Sequence, residues 1–400
     1  MNGSLHVLVV GSGAREHALA WAVARSPRCG RVFVAPGNGG TATVATNVAV
    51  AADDPAGILR AASEHSVGLV VVGPDAAVAA GVGDACRAAG IPVVGPDAAA
   101  GRIESSKEFA KELMDAAGIP TARWRSGGAE QSDALIGFAA ELGGRCVVKA
   151  DGLALGKGVT VCDTTAEAAA AIDSCLRDRR FGLAGERVVV EERLTGPEVS
   201  VLALTDGLRV RALVPACDYK RAGAGDTGPM TGGMGAYAPP AGVDVAALLT
   251  EAVETVVEPA VATLAERRTP YSGCLYAGLM LTADGLRVLE FNARFGDPEA
   301  QVVLPLLGED VLELLLACAV RDLTPGRSRQ AAEAAVGVVV AAAGYPGPPR
   351  TGDPVAGIDE LDGDVLCFHA GTRLDAEHGD VRTAGGRVLT VVATDATVER

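Results

Sequence analysis

Short apolar runs alternate with alanine-rich stretches over the first hundred residues, and this alternation constrains the fold more than any other sequence feature. The apolar runs have the length of strands and occupy residues 5–10, 31–35, 68–72 and 91–94. The stretches that separate them are typical of helices and lie near 15–25, 55–64 and 76–89. This order predicts an α/β protein with a parallel, doubly wound sheet. Each strand ends in a Gly/Pro turn, where such sheets bind their ligands.

The first of these turns, Gly11-Ser12-Gly13-Ala14-Arg15-Glu16, partly matches a dinucleotide-binding fingerprint. The third glycine is missing, and the second strand ends at Pro36-Gly37-Asn38 with no acidic residue for a ribose hydroxyl. An oxidoreductase is therefore disfavoured. Since a glycine turn at a helix N-terminus binds anions, a phosphate-bearing substrate is favoured there, and a tight turn without a ligand is the alternative.

The composition bounds the class of protein. Four hundred residues predict two to four sub-domains around a cleft. The net charge of -15 and the 4% aromatic content argue against a nucleic-acid or membrane partner. The nine cysteines form no Cys-x-x-Cys pair, which is typical of buried thiols in a reducing compartment. These features, with no apolar run long enough to cross a bilayer, favour a cytoplasmic enzyme that acts on small anionic molecules.

A glycine-rich loop in the middle of the chain is a candidate polyphosphate site. Residues 146–150 and 159–162 read as two strands of a hairpin, and the loop Asp151–Gly158 between them carries three glycines and Lys157. Backbone N–H groups and a lysine in such a loop can cover phosphates, although the Walker order is absent. Lys149 is costly to bury among hydrophobic residues without an anion. A solvated hairpin tip is the alternative.

Two further segments have the composition of a nucleotide site. Glu191 and Glu192 close an apolar strand and suit an adenine amino group, while Glu198 after the next turn suits ribose hydroxyls. Solvated strand ends would look the same.

Residues 215–240 are rich in Gly and Pro and contain apolar and aromatic residues, so we predict an ordered active-site loop rather than disorder.

The segment 288–299 is the strongest candidate for a metal site. Its first half reads as a strand paired with 274–281, so Leu289 and Phe291 should face the core while Glu290 and Asn292 face a cleft. Carboxylate and amide oxygens suit Mg²⁺, and Arg294 beyond them suits a planar anion. A solvated edge strand of alternating charge is the alternative.

These segments together resemble the ATP-grasp superfamily and, within it, the phosphoribosylamine–glycine ligase family, from about Leu5 to Ala393. The motifs that carry the resemblance are Gly-x-Gly-x-Arg-Glu-His at 11–17, Ala-Pro-Gly-Asn at 35–38, Lys-Ala-Asp-Gly-Leu-Ala at 149–154, Gly-Lys-Gly at 156–158, Thr-Gly-Gly-Met-Gly-Ala-Tyr at 231–237, Glu-Phe-Asn-x-Arg-Phe-Gly-Asp-Pro-Glu at 290–299 and His-Ala-Gly-Thr at 369–372.

The resemblance implies an ATP-grasp fold with an N-terminal Rossmann-like domain and a small β-rich C-terminal domain. The implied units are an N-terminal substrate domain at 1–103, an ATP-grasp core at 104–122 and 191–328, a lid at 123–190 and a C-terminal domain at 329–400. It also implies that ATP phosphorylates glycine and that 5-phosphoribosylamine attacks the acyl phosphate, giving glycinamide ribonucleotide in purine biosynthesis. The implied cofactors are ATP with Mg²⁺ or Mn²⁺, in a cytoplasmic monomer or weak homodimer.

The resemblance also implies residue roles. Metal ligands would be Glu290 and Asn292. Catalytic residues would be Lys149, Lys157, Asp218, Lys220 and Arg294. ATP would contact Lys107, Lys149, Gly156, Lys157, Gly158, Glu191, Glu192, Leu194 and Glu198. The other substrates would contact Gly13, Arg15, Glu16, Gly37, Asn38, Gly73, Pro74, Asp75, Asp218, Thr231, Gly232, Gly233, Arg294, Gly296, Asp297 and Pro298.

Some positions depart from the pattern that this resemblance implies. Met230 stands where Asn is usual, Tyr219 where His or Phe is usual, and Asp75 where Glu is usual. These departures leave open a divergent ATP-grasp ligase that joins a different amino acid or amine. A non-catalytic nucleotide-binding protein is disfavoured, because it would not need Glu290, Asn292 and Lys149 together.

Overall fold

The N-terminal unit is built on a parallel sheet, as the alternation predicts. The computed structural model describes residues 4–154, 158–330, 333–375 and 377–398. The elements of this unit are β1 (Leu5–Gly11), α1 (Ala14–Ala24), β2 (Cys29–Pro36), β3 (Thr46–Asn47), α2 (Pro55–Glu64), β4 (Leu69–Val72), α3 (Asp75–Ala79), α4 (Val82–Ala88), β5 (Val93–Val94) and α5 (Ala98–Ser105). The sheet order is β3-β2-β1-β4-β5 with parallel pairing throughout. The stretch predicted as one helix at 76–89 is two helices, because Gly81 between them has a left-handed φ of 82°.

The next part of the chain forms a small α+β unit with a core of its own. Its elements are α6 (Lys107–Ala117), which leads into it, β6 (Trp124–Gly127), α7 (Ser132–Glu141), β7 (Cys146–Ala150), β8 (Val159–Cys162), α8 (Thr165–Leu176) and β9 (Val188–Glu192). The antiparallel sheet has the order β6-β9-β7-β8. Leu135, Phe138 and Ile172 of the two helices pack on Val148 and Val190 of the sheet. We call β6–β9 with α7 and α8 the lid unit.

The central unit carries a five-stranded sheet of order β15-β14-β10-β11-β16. The elements from Glu198 onward are β10 (Glu198–Asp206), β11 (Val210–Ala212), β12 (Cys217–Gly223), β13 (Thr227–Ala238), α9 (Val245–Ala252), α10 (Glu258–Glu266), β14 (Ser272–Thr282), β15 (Gly285–Asn292), α11 (Glu299–Val303), α12 (Val311–Ala319) and β16 (Gly326–Arg327). One turn of π-helix, Val253–Val257, joins α9 to α10. The hairpin predicted between 274–281 and the following strand is confirmed as β14–β15.

Residues 215–240 are not the irregular loop that the sequence predicts. They form the hairpin β12–β13, which joins the C-terminal strands in a sheet of order β12-β13-β17-β22-β19. The many glycines suggested a loop, but one of them permits close strand packing. A Cβ atom on Gly235 would lie 2.6 Å from the carbonyl oxygen of Gly337 on the neighbouring strand.

The C-terminal strands pack against the rest of the protein. They are β17 (Ala334–Ala341), β18 (Pro354–Val355), β19 (Leu366–His369), β20 (Thr372–Leu374), β21 (Val381–Thr383) and β22 (Arg387–Asp395). Phe368 and Val392 belong to the same buried cluster as Val9 and Leu19 of the N-terminal unit and Leu304 of the central unit. This shared core fixes three units around one cleft. The described helices include none with the length and apolar character that a membrane crossing requires.

Candidate active site

A bulge in strand β15 shapes the predicted metal site. Glu290 lies opposite Gly278 and Asn292 opposite Tyr276, but the pairing register shifts between Val288 and Glu290. Phe291 is buried in the core as predicted. Leu289 is not, because the extra residue of the bulge breaks the alternation and Val288 takes the core position instead. Glu290 and Asn292 flank the inward-facing Phe291 and therefore face the cleft.

A buried cluster of two lysines and one glutamate lies beside this strand. The Glu191 carboxylate forms ion pairs with Lys149 and, at 2.5 Å, with Lys111. All three side chains are at least nine-tenths buried. Lys149 Nζ also donates to the carbonyl oxygen of Leu289 at 3.0 Å, which ties β7 of the lid unit to β15. Burial opposes ionisation of Glu191, but the two lysines hold its pKa below the usual range.

Lys111 was not predicted as a site residue. Its Nζ donates to Thr121 Oγ1 at 2.7 Å, and burial lowers the pKa of this lysine. Lys111 lies on the apolar face of α6 with Ala110, Leu113 and Met114, all buried. A lysine in an apolar helical stripe is the signal that could have identified it. The Glu191 carboxylate is therefore paired with the ammonium groups of two lysines. It does not face outward to accept a hydrogen bond from an adenine base.

Cations surround Glu290. Burial works to raise the pKa of this carboxyl, but Lys149, Lys220, Lys107 and Arg294 together hold it below the usual range. Glu290 therefore carries its charge at neutral pH. A narrow pocket lies here, lined by Ile103, Glu104, Lys107, Ala110, Lys111, Met114, Lys149, Leu289, Glu290 and Phe291.

The donor set at Glu290 and Asn292 fits a hard divalent cation. Glu290 is ionised, and Asn292 Oδ1 accepts a bond of 3.2 Å from Arg294 Nη2. Carboxylate and amide oxygens on adjacent outward positions of a strand are ligands that Mg²⁺ accepts, with water and phosphate completing its shell.

Two arginines that are far apart in the sequence meet at one carbonyl. Arg15 Nη1 and Arg294 Nη1 both donate to the carbonyl oxygen of Phe295, at 3.3 and 3.1 Å. Arg294 also pairs with buried Glu104 at 3.0 Å, and Arg15 pairs with Glu16 at 2.6 Å. Glu104, the last-but-one residue of α5, was not predicted. Two converging guanidinium groups make this edge of the cleft suitable for an anion.

The side chains of Glu16 and Asn38 form hydrogen bonds to backbone groups of the predicted substrate turns and stabilise those turns. Glu16 Oε2 accepts a bond of 2.5 Å from the N–H of Gly13, and a Cβ atom on Gly73 would lie 2.0 Å from Glu16 Oε1. Asn38 Nδ2 donates to the carbonyl oxygens of Ser12 and His369, at 2.9 and 2.7 Å. Both side chains are buried and engaged within the protein.

The remaining turn residues lie close to these groups. The N–H of Gly37 donates to the carbonyl oxygen of Gly11 at 3.1 Å, which joins the first two turns. Pro74 precedes α3, whose first residue is Asp75. Asp75 is near enough to Arg294 to help raise its pKa, against the effect of burial.

A second charged cluster comes from the hairpin β12–β13. Lys220 Nζ lies 2.6 Å from Glu198 Oε2 and 3.8 Å from Asp218 Oδ1. Burial raises the pKa of Asp218 to about 7, and Lys220 opposes this shift while Glu299 adds to it. Glu299 Oε1 in turn accepts a bond of 2.9 Å from the Tyr276 hydroxyl. Asp218 is therefore the group of this cluster that titrates near neutral pH.

The segment Thr231–Gly233 of β13, where the pairing with β12 is irregular, packs against Pro298. A Cβ atom on Gly233, which has a φ of 110°, would lie 2.5 Å from Pro298 Cδ. Thr231 Oγ1 donates to the carbonyl oxygen of Lys220 at 2.7 Å. A Cβ atom on Gly296 would lie 2.4 Å from Glu299 Oε2. Gly233 therefore lets β13 approach Pro298 closely, and Gly296 leaves room for the Glu299 side chain.

The lid unit is attached at the start of α6. The N–H of Lys107 donates to the carbonyl oxygen of Asp151 at 3.1 Å, and Asp151 Oδ1 accepts from the N–H of Glu108 at 2.7 Å. Gly158 is buried and its carbonyl oxygen accepts from the N–H of Ala150. Gly156 and Lys157 lie outside the described residues.

Two predicted nucleotide residues lie apart from this cluster. Glu192 pairs with Arg123 at the surface, at 3.2 Å. Leu194 is half-buried in the connection to β10. Glu198 is exposed but lies near the site through its bond to Lys220.

The chain has an ATP-grasp fold. The structure is similar to a biotin carboxylase from Campylobacter jejuni, with a TM-score of 0.72 over 98% of this chain and 87% of that one, at 15% identity. It is also similar to N5-carboxyaminoimidazole synthase from Aspergillus clavatus, with a TM-score of 0.69 over 100% and 96%, at 15% identity. At these identities the likeness shows the fold alone.

The chain belongs to the phosphoribosylglycinamide synthetase family. It matches the N domain over residues 5–104, the ATP-grasp (A) domain over 105–300 and the C domain over 335–400. The predicted fold class and family are confirmed.

Curated relatives and a solved structure agree with this family. The chain is 49% identical to the phosphoribosylamine–glycine ligase of a Nostoc species, over 97% of this chain and 91% of the relative. It is 50% identical to that of Streptomyces coelicolor, over 98% and 92%. The phosphoribosylamine–glycine ligase structure from Thermotoga maritima has a TM-score of 0.85 and 32% identity, over 99% of this chain and 94% of that one.

Proposed function

We propose that this chain is an ATP-dependent ligase that joins glycine to 5-phosphoribosylamine through glycyl phosphate, giving glycinamide ribonucleotide, ADP and phosphate. Membership of the phosphoribosylglycinamide synthetase family supports this reaction. The single observation that carries the proposal is the position of Glu290. This carboxylate stays ionised among four cations and lies two strand positions from Asn292.

The nucleotide would lie between the lid unit and β15. Lys149 and Lys107 would contact its phosphates, because both lie by the pocket at Glu290 and lysine is a compact charge that suits phosphate. Lys149 would exchange Glu191 for a phosphate, and Lys111 would keep the glutamate paired. Glu290 and Asn292 would hold Mg²⁺ or Mn²⁺, which when bound offsets the negative charge that develops on the transferred phosphoryl group.

The acid and the amine would lie on the arginine side of the cleft. Arg294, with Asp218 and Lys220 nearby, would face the glycine carboxylate and its acyl phosphate. Arg15 and the turns at Gly13, Gly37 and Gly73 would face the phosphoribosyl group. Fixed guanidinium groups aimed at these anions stabilise charge without reorganising during the reaction.

The lid unit would exclude water when the nucleotide is bound, because an acyl phosphate hydrolyses in water. The bonds from Asp151 to the start of α6 would let the lid turn about this connection. We further propose that the enzyme works in the cytoplasm, as a monomer or weak homodimer.

The alternative function is a ligase that uses a different amine or acid, and Tyr219, Met230 and Asp75 motivated it. The surroundings of these three residues support it less than the family supports the proposed reaction. Tyr219 is 57% exposed, with its ring centre 5.9 Å from that of Tyr237, whereas its neighbour Asp218 is buried and close enough to Glu299 for their charges to interact. Met230 is 38% exposed. Asp75, near Arg294, is the one of the three departures that lies beside the proposed substrate groups.

The test is ADP release by the purified chain with glycine and 5-phosphoribosylamine, compared with a panel of other acids and amines. Turnover with this pair is expected, and turnover only with another pair would overturn the proposed substrates. Glu290→Gln should lower kcat by about 10²-fold or more, since it removes a charge that holds the metal. Glu309→Gln is the control, because this glutamate pairs with Arg211 outside the site. Unchanged kcat in Glu290→Gln would refute the metal assignment.

A further inference from the structure

One arginine of the C-terminal unit reaches two segments of the proposed substrate site. Arg387, the first residue of β22, donates from Nη1 to the carbonyl oxygens of Gly232 at 2.6 Å and of Asp297 at 2.9 Å. Its Nη2 lies 2.9 Å from Asp297 Oδ2. Only 21% of the Arg387 side chain is exposed. One guanidinium therefore joins the Thr231–Gly233 segment of β13 to the loop that precedes α11.

A second residue of the C-terminal unit contacts the same segment of β13. The N–H of Gly232 donates to the Tyr345 hydroxyl at 3.1 Å, so Arg387 and Tyr345 hold both sides of this glycine. The Tyr345 ring lies over Gly386, where a Cβ atom would be 2.4 Å from Cδ2. The absence of a side chain at Gly386 thus lets Tyr345 and Arg387 approach Gly232 together.

Arg387 also affects the charge of Asp297. Burial works to raise the pKa of this carboxyl, but Arg387 and then Arg15 hold it below the usual range. Asp297 Oδ1 accepts a second bond, of 2.8 Å, from Gln301 Nε2. A Cβ atom on Gly13 would lie 3.5 Å from Asp297 Oδ2. The oriented Asp297 carboxylate therefore borders the first glycine turn.

We propose that Arg387 is a positioning residue for the amine substrate. Its fork holds Thr231–Gly233 and Asp297–Pro298 in one arrangement beside the turn at Gly13, so the C-terminal unit contributes to binding of the phosphoribosyl group. The inference rests on the proposed function. A lysine could keep the charge but could not make the bonds to Gly232 and Asp297 in the same planar geometry.

The experiment compares Arg387→Met and Arg387→Lys with wild-type protein by steady-state kinetics. Arg387→Met should raise the KM for 5-phosphoribosylamine about 10–100-fold, the usual effect of losing bonds to a charged group. The KM for ATP should stay within about twofold, because Arg387 and its partners Gly232 and Asp297 are not among the residues that line the pocket at Glu290. Arg387→Lys should give an intermediate KM for the amine. Arg350→Met is the matched control, since Arg350 forms a local pair with Asp353 in the same unit.

An unchanged KM for the amine in both Arg387 variants would overturn the inference. Equal rises in the KM for ATP and for the amine would also overturn it, because they would indicate a general structural role. If Arg387→Met melts below the assay temperature, Arg387→Lys alone decides between these outcomes. Failure of wild-type protein to use 5-phosphoribosylamine would refute the proposed function instead, and the same KM comparison would then be made with the amine that it does use.

Discussion

Two groups of cations line the cleft, and they are paired in different ways. In the lysine pocket, defined by Lys111, Lys149 and Glu191, one buried carboxylate serves two ammonium groups. The second group, which we call the arginine wall, consists of Arg15, Arg294 and Arg387, and each of these guanidinium groups pairs with a different carboxylate. The pairs of the arginine wall are Arg15 with Glu16, Arg294 with Glu104 and Arg387 with Asp297.

The difference in pairing indicates which cations can leave their carboxylate partner to contact a ligand. Removing one partner of a buried ion pair leaves an uncompensated charge, at a cost of about 3–5 kcal/mol. Glu191 avoids this cost if Lys149 turns to a phosphate, because Lys111 remains beside it. Each carboxylate that faces the arginines forms an ion pair with one guanidinium. We therefore expect the arginines to hold geometry, which suits a planar guanidinium better than a flexible ammonium group.

Lys149→Met should have the largest effect of the changes that separate the two groups. We expect kcat/KM for ATP to fall roughly 10²–10³-fold, as for removal of a preorganised group that meets developing charge. Lys111→Met is the matched control, because each variant leaves Glu191 with one lysine. The two variants should lose similar thermal stability and differ in ATP turnover. Equal losses of turnover would show that the lysines are not distinct in function.

Arg294→Lys should have an intermediate effect. The variant keeps the charge but cannot bond Glu104, Asn292 and the carbonyl oxygen of Phe295 together, so kcat/KM for glycine should fall about 10–100-fold. Isothermal titration with ATP should show little change in its Kd. Arg123→Lys, at the surface pair with Glu192, is the control. Wild-type kinetics in Arg294→Lys would contradict a role for the planar guanidinium group of Arg294 in the use of glycine.

Asp218→Asn should have the smallest effect, on the pH dependence of stability. Because the pKa of Asp218 is raised to about 7, the folded protein keeps a proton that the unfolded chain has already lost above the ordinary carboxyl range. The contribution of Asp218 to stability therefore falls as pH rises toward 7 and stays low above it. The variant should melt a few degrees higher than wild type at pH 8 and show a flatter slope of Tm against pH. Parallel Tm curves would argue against the raised pKa.

Much of the fold followed from local pattern. The parallel strands, their turns and the hairpin β14–β15 were predicted because buried strands and glycine turns leave a short-range signal. The hairpin β12–β13 was missed, because its glycines are typical of loops and their use depends on the neighbouring strand at Gly337. The bulge at Leu289 was missed for a similar reason, since a shift of register is defined only by the partner strand.

The chemical groups that the chain carries can be read from its sequence: a carboxylate and an amide on one strand, a lysine among hydrophobic residues, and glycine turns after parallel strands. How these groups are paired depends on the packing of the elements. Lys111, Glu104 and Arg387 come from separate elements, and each acquires its partner only when those elements pack. The physical reason is that the cost of burying a charge depends on the partner beside it, and a local sequence pattern does not define that partner.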